Sequence, residues 1–171
     1  MATITRHRRL AIATSIALAA LAVAAIYAFA AAAQPRPVTG KISLNVAPNG
    51  ETCGTNSFVI ELEGQGTLAQ LGRVNILASN CARWLGEPLA STAEIVDGVA
   101  SYTTADGATL SVTYDGSQTV PVDGVFHVVV SQEVTAGTGR LAGATGGWTI
   151  EGTVDLNTGI LVGDVTGWLQ P

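Results

Sequence analysis

The residues able to do chemistry are few, and their spacing argues against most of it. Cys53 and Cys81 are the two cysteines of the chain, in Thr-Cys-Gly and Asn-Cys-Ala-Arg. A nucleophilic thiolate needs nearby positive charge, and Arg83 alone offers any. Two cysteines read instead as a disulfide if the chain folds in an oxidising compartment, which Arg6, Arg8, Arg9 and the apolar run Leu10 to Ala33 lead one to expect. His127 follows the N-terminal His7 as the second of two histidines, and alternation sets it opposite Phe126 and Val128, facing solvent. One histidine assembles neither a Ser-His-Asp triad nor a His-rich zinc site. Glu61 with Glu63, and Glu151 with Asp155, share strand faces, but the outward ones, where carboxylates solubilise rather than act as an acid/base pair. Catalytic residues, a metal site and a cofactor site are therefore all expected to be absent.

One stretch stands apart. Between Thr135 and Trp148 the chain places Gly137, Gly139, Gly143, Gly146 and Gly147 around Arg140. Gly137-x-Gly139 has no helix after it and is not a dinucleotide or phosphate loop. Glycines clustered between two strand patterns mark a tight, crowded corner, so these residues are expected to form a structural turn. Arg140 with backbone N–H groups as an anion site is the alternative.

The elements around this corner are short and alternate with period two. Ile42, Leu44 and Val46 alternate with Lys41, Ser43 and Asn45, and Phe58, Ile60 and Leu62 with Val59 and Glu61. Gly64-Gln-Gly66 suggests a bend or bulge before the Val74, Ile76, Ala78 face. Asp97-Gly98, Asp106-Gly107, Asp115-Gly116 and Asp123-Gly124 read as successive hairpin turns; the Gly-Gly-x-Gly frame of calcium-binding nonapeptide repeats is missing. Phe126, Val128, Val130 and Val134 lead into the glycine corner, and Trp148, Ile150 and Val154 lead out of it. Eight or nine such strands without a helical period predict an all-β antiparallel barrel, with an open sandwich as the alternative. With three Phe and three Trp in the chain, an interior filled by its own side chains is expected, and a small apolar ligand held inside is the alternative. Trp84, Trp148 and Trp168 fall near strand ends, where they would plug the barrel or rim a site.

Residues 1–33 are of another kind. Arg6, Arg8 and Arg9 precede an uncharged run from Leu10 to Ala33 with Ala-x-Ala sites at Ala28-Phe-Ala30 and Ala31-Ala-Ala33. This is a signal peptide cut near Ala30 or Ala33, or an uncleaved signal anchor. Either places the rest outside the cytoplasm, in the cell envelope or extracellular space, with membrane contact only through this segment. Residues 34–40, opening Gln34-Pro-Arg-Pro37, read as an extended linker and 41–171 as the barrel domain. Removing the three arginines takes the net charge from −5 to −8, which disfavours nucleic acid and anionic lipid as partners. No oligomeric state is assigned.

Gly137-Thr-Gly-Arg-Leu-Ala-Gly-Ala-Thr-Gly146, with Leu71-Gly-Arg73 and Ala105-Asp-Gly-Ala-Thr-Leu110, resembles the exported bacterial relatives of the allene oxide cyclase and dirigent barrels. The chain departs from that pattern at Leu141, where relatives usually carry Phe, and at Gln70, where His is common. The resemblance implies an eight-stranded calycin-like barrel and supplies no catalytic residue. Function is accordingly read as a non-enzymatic binding or structural module. A cyclase-like or dirigent-like barrel guiding a reactive lipophilic intermediate, and a lipocalin-like carrier, are the alternatives.

Overall fold

A computed structural model describes residues 34–171. The expected signal or anchor helix at 1–33 lies outside the described residues. Eight strands follow one another: β1 (Arg36–Gly54), β2 (Ser57–Leu68), β3 (Gly72–Trp84), β4 (Ala93–Thr104), β5 (Thr109–Gln118), β6 (Val125–Gly137), β7 (Thr145–Asp155) and β8 (Ile160–Gln170). Each pairs antiparallel with its sequence neighbours, and β1 also pairs with β8, closing the barrel. All-β closure leaves no free sheet edge, as the meander pattern predicts. The only helical element among the described residues is a 3-10 turn, Gly139–Leu141.

Alternation is carried through to the two faces. Ile42, Leu44, Val74, Ile76, Val128 and Val130 are buried inside, while Lys41, Ser43, Asn45, Glu61, Glu63 and Arg73 are exposed outside. That polarity is the reverse of a membrane-spanning barrel, whose apolar band faces outward.

Three local expectations are corrected. The linker expected at 34–40 is largely strand: Arg36 to Gly40 pair with Leu169 to Val165, and Val38 is wholly buried. Proline at position 37 is compatible with a strand's first residues, so its extended bias started β1 early. Gly64 and Gly66 make no bulge, since the β1–β2 register runs unbroken from Gly40 to Pro48. Of the four Asp-Gly pairs only Asp106-Gly107 and Asp123-Gly124 lie between strands. Asp115-Gly116 lies within β5, and Asp97-Gly98 sits inside β4 at a register shift, with Asp97 at φ 54°. The dipeptide suits a bulge as well as a hairpin because both need left-handed backbone. At Gly98 a Cβ would stand 2.4 Å from the Tyr114 ring, so the missing side chain is where that ring lies.

Candidate functional site: a barrel closed at one end and open at the other

The closed end is built around the glycine corner. Val38, Leu68, Leu71, Val74, Leu110, Leu141 and Leu169 are at most 3% exposed. Gly139 and Gly143 take left-handed φ values of 58° and 79°, which a side chain resists. Gly137, Gly146 and Gly147 serve close approach instead: a Cβ at Gly146 would meet the Trp168 carbonyl oxygen at 2.5 Å, and one at Gly137 the Leu141 oxygen at 2.0 Å. Arg140 ties three connections together. Its Nε donates to Asp106 Oδ2 at 2.8 Å, and its terminal nitrogens reach the carbonyl oxygens of Gln70 and Leu71 at 3.4 and 3.3 Å. The Thr104 hydroxyl bonds the other Asp106 oxygen, and that contact first, then Arg140, holds the Asp106 carboxyl below the usual carboxylate range. The guanidinium expected as an alternative anion site thus already faces a carboxylate and two carbonyls.

The other end does not close. A cavity of about 530 Å³ occupies the barrel from its middle to the β3–β4 and β7–β8 connections. Its walls are Ile42, Leu44, Ile76, Ile95, Val128, Val130, Ile150 and Leu161, with Phe58, Trp84, Leu89 and Leu156 toward the mouth. The filled interior expected from the scarcity of aromatics is therefore corrected. Native cores pack to crystal-like density with few voids larger than water, and this volume falls within the range of about 300–1,000 Å³ typical of ligand pockets. The aliphatic side chains on the inner face are too short to meet across the barrel. The mouth is apolar too: Leu85, Leu89, Val120, Val122 and Leu156 on its connections are exposed. The tryptophans divide accordingly. Trp148 is buried on the closed side, Trp84 lines the cavity, and Trp168 points outward at 45% exposure, neither plug nor rim.

The floor of the cavity is polar. Tyr102 Oη donates to Gln132 Oε1 at 2.7 Å, and Tyr114 Oη donates to Asn80 Oδ1 at 3.1 Å. Tyr102 packs edge-on to Trp148 with ring centroids 5.3 Å apart. The Trp148 Nε1–H, which is buried, has no partner in hydrogen-bonding geometry, although its nearness to the phenol offsets part of the effect of burial there. Burial pushes the Tyr102 phenol up to about 12 and raises that of Tyr114 as well, so both remain hydrogen-bond donors across the physiological range. Gln118 joins the wall nearer the mouth.

Sequence reasoning missed Tyr102, Asn80, Gln118 and Gln132. The signal was present at two of them. Asn80 continues the inward series Val74, Ile76, Ala78, and Gln132 sits between Val130 and Val134 on the inward face of β6. A polar side chain at an inward position of an otherwise apolar series is the informative exception. The expected surface residues are where alternation puts them. His127 lies 3.2 Å from Glu151 on the outside, its side chain 43% exposed. Among the described residues no group of three or more His, Cys, Asp or Glu side chains is arranged to hold a metal ion.

Cys53 and Cys81 are bonded, with Cα atoms 6.1 Å apart. The bond runs from the end of β1 to the end of β3 beside the mouth, spanning the start of β2 that lies between them.

Comparison with protein-family models, with curated proteins and with solved structures finds no match to this chain.

Proposed function

We propose that the protein is an exported, non-enzymatic barrel that binds a small lipophile in its cavity, outside the cytoplasm. The observation that carries this is the apolar cavity itself. A cavity of about 530 Å³ that opens at the mouth is not closed by packing of the protein's own side chains. The volume must therefore hold solvent or a ligand. Water needs two to four polar partners per molecule, and walls of Ile, Leu and Val provide few. An apolar occupant gains from every wall contact. The Cys53–Cys81 bond supports export, since such bonds persist in oxidising compartments.

Native mass spectrometry of the protein secreted by its own host tests the proposal. An adduct removed by organic extraction and restored by lipid extract is expected. Protein that arrives bare and takes up nothing from that extract contradicts it.

A second reading, in the line of the cyclase and dirigent resemblance, is that the same cavity templates a reactive lipophilic intermediate. Two neutral phenols fixed by Gln132 and Asn80 favour it, because they orient an oxygen without titrating. Unsaturated epoxides or phenoxy radicals would then give products of altered stereochemistry in the protein's presence, and unaltered products would remove this reading.

A further inference from the structure

We propose that the ligand is a neutral lipophile carrying a hydrogen-bond-accepting oxygen, an ester or a ketone rather than a hydrocarbon or a carboxylate, with that oxygen seated at Gln132 and Asn80. This rests on the lipophile-binding reading and narrows it. The two Tyr–amide pairs adjoin, because Tyr114 and Gln132 are direct cross-strand partners on β5 and β6. In each pair the phenol donates to the amide oxygen, which leaves the amide –NH2 groups of Gln132 and Asn80 without an acceptor among the described residues. Turning either amide over frees the phenol proton instead, so each pair offers a donor in both arrangements. Both residues are more than nine-tenths buried and line the cavity. Among the buried side-chain polar atoms of the described residues, only Trp148 Nε1 is both sealed off and unpartnered, so the spare amide groups still reach open volume.

The rest of the wall decides the ligand's charge. Among the described residues no Asp, Glu, Lys, Arg or His lines the cavity, so a carboxylate carried to this depth would lose its hydration with no cation to replace it. A hydrocarbon would leave the amide donors without partners or with trapped water. An ester or ketone oxygen accepts from them and carries no charge.

The secreted protein can be tested by displacement of an N-phenylnaphthylamine dye with dodecane, methyl dodecanoate and dodecanoate at neutral pH, before and after Gln132→Met combined with Tyr102→Phe, which removes both donors of one pair. The ester is expected to weaken about fivefold in the variant, the size of one lost neutral hydrogen bond, while dodecane is unchanged. Dodecanoate is expected to bind the parent at least roughly tenfold more weakly than its methyl ester. Should that variant fold poorly, Asn80→Leu combined with Tyr114→Phe removes both donors of the neighbouring pair and carries the same expectation. Equal losses for ester and hydrocarbon, no loss for the ester, or dodecanoate binding as tightly as the ester would each overturn the assignment while leaving lipophile binding intact. A dye that does not bind at all overturns lipophile binding, and this assignment with it.

Discussion

The two ends of the barrel solve the same problem in opposite ways. At the glycine corner, backbone approaches that no side chain would permit bring strands close enough for Val38, Leu141 and Leu169 to fill the space between them, and Arg140 fastens the turns from outside. At the mouth, the inner faces stay apart around the cavity, Phe58 is partly exposed, and a covalent bond between β1 and β3 stands where packing is missing. A small barrel that keeps a cavity gives up part of its core. The disulfide lies at the end that gave it up.

If that contrast is right, removing the bond by Cys53→Ser with Cys81→Ser has the largest effect, a loss of roughly 3 kcal/mol for a loop of this length. Hydrogen exchange should show that loss first in the mouth halves of β1 and β3, with the closed end still protected. Even loss of protection along both strands would break the comparison. Next come Gly146→Val and Gly139→Val, each expected to destabilise by about 1–3 kcal/mol in chemical denaturation, by backbone collision at the first and left-handed strain at the second. Added phosphate should leave these midpoints where they are; phosphate protection lost in Arg140→Ala would restore the anion site.

Smaller again is the electrostatic fastening. Arg140→Ala should raise the Asp106 carboxyl toward its ordinary value in an NMR titration, but not the whole way, because Thr104 still bonds it. Since the folded-state value is depressed, the contribution of Asp106 is present above the unfolded value of about pH 4 and is lost as pH falls through the folded one. An unmoved titration would remove Arg140 from the fastening. At the mouth, Val122→Ser and Leu85→Ser should change stability by no more than about 0.5 kcal/mol, as exposed positions usually do. Large destabilisation there would mean the rim is packed after all.

Much of the barrel could be read from alternation, because a period of two fixes which face each residue joins. Glu61, Glu63 and His127 lie where it puts them. The glycine corner was legible as crowded, but the division of its glycines between left-handed turns and close approach depends on contacts with Trp168 and Leu141 that no local pattern encodes. The Asp-Gly pairs misled for a similar reason: the backbone that Asp97-Gly98 needs serves a bulge inside β4, and the choice is made by the Tyr114 ring on the next strand. The cavity floor was half legible. Gln132 and Asn80 interrupt apolar inward series, yet their pairing with Tyr102 and Tyr114 joins residues 30 and 34 positions apart. Whether the interior fills depends on summed side-chain volume against barrel radius, and composition alone pointed the wrong way.

The central claim is that the open half of the barrel holds an apolar occupant. A fluorescence titration with N-phenylnaphthylamine tests it most directly, run on the parent and on Ala100→Trp, which places an indole in the cavity wall. Saturable one-to-one binding by the parent, abolished in a folded Ala100→Trp protein, is the predicted result. Failure of the parent to bind, or equal binding by both proteins, would contradict the claim.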